Sequence, residues 1–224
     1  MTETYWSSHF ERELYDLNWR GLSGSADLWQ VVINLLPAIG AQSRIFGRVD
    51  GTIRVARRAD GAQAFEEWEV DADPASLRRR LDLLADVPEP IELSLRCRPA
   101  LWLPDDCVQI IDYDDADYSN IGDATLAPAG GNFEGDPSLK LWRVLEAPVK
   151  LLMLEIVFDL NEPATGMLLQ ISSRCDLWCD TRLDGEPGAT HNLANASMLA
   201  RAVEDVALAA KAEITRRPRS GTSR

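Results

Sequence analysis

Lysine is nearly missing from this chain of 224 residues: only Lys140, Lys150 and Lys211 occur, so arginine supplies 20 of the 23 basic side chains. With abundant Ala, Asp and Leu, that skew fits a coding sequence of high G+C content. Histidine is scarcer still, at His9 and His191 alone. General acid–base and nucleophilic catalysis most often recruit histidine beside a placed partner, and His191 has Asn192 beside it but no Ser or Cys nucleophile motif. No G-x-S-x-G, G-x-x-x-x-G-K or G-x-G-x-x-G occurs either, which leaves no hydrolase elbow, phosphate loop or dinucleotide fingerprint. Gly130-Gly131 reads as a turn, and the Glu66/Glu67 pair has no specificity for glycoside chemistry in so acidic a chain. No catalytic residue and no cofactor are expected.

Long apolar runs are missing as well. Val149 to Leu160 is interrupted by Lys150, Glu155 and Asp159, short of the roughly 18 residues that a bilayer span needs. The start of the chain shows no basic region followed by an apolar stretch, so a cytoplasmic protein is expected. Cysteine is sparse: Cys97, Cys107, Cys175 and Cys179 are too few for a disulfide scaffold and read as free thiols packed as small hydrophobes. The Cys175/Cys179 spacing permits zinc, but no second pair accompanies it. In a strand, residues four apart also diverge by about 13 Å. No metal is expected there.

Acid is what the chain has in excess. The formal charge is −13. The stretch from Thr215 to Arg224 holds four arginines and no acid, so without those four positive charges the body stands at −17. Such a surface repels phosphate backbones and anionic lipid and steers a basic partner, which argues against nucleic-acid and membrane partners. The acids concentrate at Asp112, Asp114, Asp115, Asp117 and Asp123. The calcium-loop template, with oxygen ligands at positions one, three and five and glycine at six, fails from Asp112, where Ala116 and Asp117 fall at five and six. It fails from Asp115 too, where Asn120 takes position six.

Seven tryptophans occur, three of them beside acids: Glu66-Glu67-Trp68-Glu69, Trp102 with Asp105 and Asp106, and Asp176 and Asp180 around Trp178. An aromatic anchor ringed by carboxylates suits an Arg- or Lys-rich partner surface. With Asp112, Asp114, Asp115 and Asp117, these form the expected partner-binding set. Against this, a tryptophan on a strand with one wet face is more often core.

Periodicity predicts an α+β protein of mainly antiparallel sheets, with helices packed on one face and two strand-then-helix halves. Trp6, Phe10 and Leu14 recur at helical spacing, and Ser25 caps a helix with Leu28, Val31, Val32, Leu35 and Leu36 on one face, ended by Pro37 and Gly40. Strands are expected over 43–49, 52–58 and 64–70, turned at Asp50-Gly51 and Asp60-Gly61. A helix starts at Asp73-Pro74, and strands follow over 91–98 and 107–113. Residues 114–136, rich in Asp, Asn, Gly and Pro, read as an acidic loop or joint between an N-terminal half, 1–113, and a C-terminal half, 137–212. In that second half, strands are expected over 139–145, 149–160 and 167–175, then a helix capped by Asn192 or Asn195. Residues 213–224 read as a disordered basic tail. The similar order of elements in the two halves raises the question of internal duplication, and whether they share one core is open.

The expected function is that of an acidic protein-binding module that neutralises a basic partner. The profile parallels that of bacterial immunity proteins that cap a toxin, by analogy and without a sequence match. Two alternatives are a metal-dependent enzyme or regulator built on the 112–123 loop, and a structural subunit of a larger assembly.

Overall fold

The computed structural model describes residues 2–6, 12–22, 24–59, 62–104, 108–112, 125–146, 152–158, 167–173, 175–179, 181, 187–188 and 190–216. Along the chain run β1 (Thr2–Trp6), β2 (Arg12–Trp19), α1 (Ser25–Ala41), α2 (Ser43–Phe46), β3 (Arg48–Ala59), β4 (Ala62–Asp71), α3 (Ala75–Asp82) and β5 (Glu89–Arg98). Then follow β6 (Ala100–Pro104), β7 (Val108–Asp112), β8 (Thr125–Phe133), β9 (Asp136–Glu146), β10 (Leu152–Phe158), β11 (Met167–Ser173), α4 (Thr190–Ala210) and β12 (Glu213–Arg216). The fold is α+β with mainly antiparallel sheets. Among the described residues, no helix is long and apolar enough to cross a membrane.

Seven strands form one sheet in the order β12-β2-β11-β10-β5-β3-β4, so strands from both halves of the sequence interleave. Strand alternation then sorts the residues in rows across it. Trp68, Ile53, Leu93, Ile156, Leu169, Leu17 and Ile214 stand opposite one another on successive strands, and the first six are buried. This apolar row lies in one cluster with the buried stripes of α1 (Val32, Leu35, Leu36, Ile39) and α4 (Leu199, Val203, Val206). Burying side chains of this size stabilises by about 1.5–3 kcal/mol each. Trp19 Nε1 donates to the Ala210 carbonyl at 2.8 Å and ties β2 to the end of α4. At Pro99 the chain leaves the large sheet and enters a smaller one, β6-β9-β8. Beside these two sheets, β1 and β7 form a parallel pair.

Several local expectations are corrected. The first aromatic residues form β1 and β2 rather than a helix. Residues 43–46 are helical, and β3 begins only at Arg48. Pro37 sits inside α1 on its exposed face, where the loss of one internal hydrogen bond is tolerated and the helix runs on to Ala41. Asp50-Gly51 is no turn; both residues lie within β3, where a Cβ on Gly51 would stand 1.9 Å from the Ser94 carbonyl oxygen. Its glycine serves close backbone approach. The other Asp-Gly falls where a hairpin was expected: β3 and β4 pair with Ala59 opposite Ala62 across the two residues between them.

The expected 114–136 loop contains β8, whose glycines sit in a bulged stretch between the Pro128 and Asn132 pairings. Asn192 and Asn195 lie inside α4, not at its cap. Of the expected tail, Glu213–Arg216 is a strand, and 217–224 lie outside the described residues.

Candidate functional site

The Glu66-Glu67-Trp68-Glu69 segment lies on β4, so alternation sends its side chains to opposite faces. Trp68 points inward and is 1% exposed. Its Nε1 donates to Glu66 Oε2 at 2.9 Å, and its ring stacks on Trp29 at 5.8 Å with planes 22° apart. The Arg80 guanidinium stands 4.1 Å from the centre of the Trp68 ring. Arg57 and Arg80 lie 3.2 Å and 3.8 Å from the Glu66 carboxylate. Trp68 and Glu66 thus hold each other at the sheet edge, and the burial of Trp68 supports the core reading.

Glu67 and Glu69 point the other way and are exposed. Cross-strand register extends them into two polar rows. One runs Glu67, Arg54, Glu92 across β4, β3 and β5. The other runs Glu69, Thr52, Ser94, Glu155, Gln170, Asp16 across six strands. A third begins Asp71, Asp50, Arg96, where Asp50 is bracketed by Arg48 at 3.5 Å and Arg98 at 3.6 Å. Towards β2 this face is covered, since Met153, Ser172 and Asp16 are all buried. Towards β4 it is open, with Glu67, Glu69, Asp71 and Glu92 exposed and a cleft of about 550 Å³ between Glu69, Asp71, Asp50 and Arg96. Phe65 stands on this open end, 53% exposed, with the Arg54 guanidinium 4.7 Å from its ring centre.

Of the other sequence-predicted residues, Trp102, Asp176 and Trp178 do not join this face. Trp102 is half-buried on β6, its ring 5.4 Å from that of Phe133. Asn195 clamps its backbone: Trp102 N donates to Asn195 Oδ1 at 2.7 Å, and Asn195 Nδ2 donates to the Trp102 carbonyl at 3.0 Å. Asp176 and Trp178 are each 1% exposed, within a turn of 3-10 helix over Asp176–Trp178. Asn192 Nδ2 donates to the Asp176 carbonyl there at 2.6 Å. That turn, and not an extended strand, links Cys175 to Cys179. Asp112 ends β7 opposite Trp6. Asp105, Asp106, Asp114, Asp115, Asp117, Asp123 and Asp180 lie outside the described residues.

Reading the sequence one residue at a time missed Phe65, Asp71 and Glu92. Alternation counted outward from Trp68 places Phe65 and Asp71 with Glu67 and Glu69, but only strand pairing brings Glu92 beside them.

Burial raises the Asp16 carboxyl above its ordinary range. It pushes the thiols of Cys97 and Cys175 well above theirs, with the nearby Asp50 adding to the effect at Cys97. Such thiols are inert as nucleophiles at neutral pH. Among the described residues, no three or more His, Cys, Asp or Glu side chains are arranged to hold a metal ion. No family model, no curated protein and no solved structure matches this chain.

Proposed function

We propose that the protein is an acidic binding module of the cytoplasm whose open sheet face receives a basic protein partner and neutralises it. The observation that supports this reading is the composition of the uncovered end of the sheet. Phe65 stands exposed there, steadied by Arg54, with Glu67, Glu69, Asp71 and Glu92 on the same face. An exposed aromatic among carboxylates gives a basic surface both an apolar anchor and charge complementarity. The net charge of −13 adds long-range steering of a cation.

The test is a pull-down from host extract with the wild-type chain and with Glu67→Lys/Glu69→Lys/Glu92→Lys, followed by affinity measurement on the recovered partner. A cationic protein is expected, lost from the charge-reversed variant and released steeply as ionic strength rises. Recovery of no cationic protein, or equal capture by the variant, sinks the reading.

A further inference from the structure

A groove of about 710 Å³ lies between α2, α4 and the turn joining β8 to β9, away from the acidic sheet face. Its apolar lining includes Trp102, Phe133, Leu141, Ile45 and Met198. The Trp102 and Phe133 rings meet there at 57°, and the Asn195 clamp on the Trp102 backbone fixes that aromatic wall. Arg44 from α2 and Arg201 from α4 also line the groove, and both are exposed. Among the described residues neither makes an ion pair. Of the two acids in the lining, Asp205 already accepts a hydrogen bond from Gln42 Nε2 at 3.1 Å, and Glu134 sits in the turn.

We propose that this groove binds a small organic monoanion with a flat apolar body, such as an aryl carboxylate. Its ring lies against Trp102 and Phe133, and its carboxylate meets Arg44 or Arg201. The volume falls within the roughly 300–1,000 Å³ of small-molecule sites, which are apolar with a few polar groups that fix orientation. A guanidinium presents a fork of donors matched to a carboxylate. Two acids in the lining offset the two arginines, and the whole chain carries −13. A single carboxylate can still be met by the fork of either guanidinium, whereas the acids of the lining and of the whole chain repel a polyanionic peptide. The proposal uses no residue of the open sheet face and stands independently of the protein-binding reading.

Calorimetric titration of the full chain with 2-naphthoate, with the cation 2-naphthylmethylamine and with a Glu-rich peptide carrying one tryptophan tests it. Saturable binding of naphthoate alone is expected, weakened about tenfold or more in Arg44→Gln/Arg201→Gln. Both arginines are exposed, so this variant keeps its fold, which circular dichroism verifies. Trp102→Leu should weaken naphthoate binding independently. No binding of naphthoate, equal affinity for the amine, tighter binding of the peptide, or unchanged affinity in the arginine variant overturns the proposal.

Discussion

Asp16 shows at the scale of one residue how an acidic chain manages a carboxylate it cannot leave in water. It sits in the covered end of the polar face, 9% exposed, on the same cross-sheet row as Glu155 and Gln170. Burial raises its folded-state carboxyl above the usual carboxylate range, because desolvation penalises the charged form. A raised acid contributes stability that is fully present below its unfolded value and lost as pH rises through its folded value. Asp16→Asn removes that titration. The stability of the wild type relative to Asp16→Asn should therefore improve as pH falls from 7 through the carboxylate range. Urea midpoints of the two proteins at pH 7 and pH 4 measure this, and a gap that stays constant or widens against the wild type contradicts it.

Glycine separates two uses at the scale of the strand. Gly51 lies inside β3, where an added Cβ would meet the Ser94 carbonyl oxygen at 1.9 Å and Leu95 Cα at 2.9 Å, both backbone atoms that cannot swing aside. Gly130 in β8 has a φ of 83° and nothing within 4 Å of its Cβ position. Gly51→Ala should accordingly cost about 2 kcal/mol or more through forced separation of β3 from β5, and Gly130→Ala only about 1 kcal/mol through its left-handed backbone. Denaturant unfolding of both variants checks the order, and a Gly51→Ala loss no greater than that of Gly130→Ala would refute the close-approach reading.

The same contrast shows what a sequence can yield. The 3.6-residue stripe of α1 and the alternation Leu93, Leu95, Cys97 of β5 were legible, since each reports its own environment. The Asp-Gly dipeptide is ambiguous between a turn and a tight strand contact, because the second depends on Ser94 and Leu95 of β5, far away in the chain. Short aromatic spacings misled in a similar way, since Trp6 and Leu14, read as parts of one helical stripe, lie on two different strands.

At the scale of the molecule, strand order decides whether the two sequence halves can part. β2 pairs with β11 on one side and β12 on the other, and β5 pairs with β10, so N-terminal strands alternate with C-terminal ones through the middle of the sheet. The apolar row from Trp68 to Ile214 crosses that boundary three times, between β5 and β10, β11 and β2, and β2 and β12, and lies in one continuous core with α1 and α4. Neither half can bury its inward face without the other: 1–113 alone would leave Leu17 and Leu93 without Leu169 and Ile156 beside them. The row Glu69, Thr52, Ser94, Glu155 that borders the acidic face depends on the same pairing, because Glu155 comes from the second half. A single cooperative transition is therefore expected, with near- and far-ultraviolet circular dichroism melting together. Residues 1–113 and 114–224 expressed separately should each fail to fold, and should regain sheet structure only when mixed. Two resolved transitions in the intact chain, or a folded fragment of either half, would show that the interleaved sheet is not the cooperative unit.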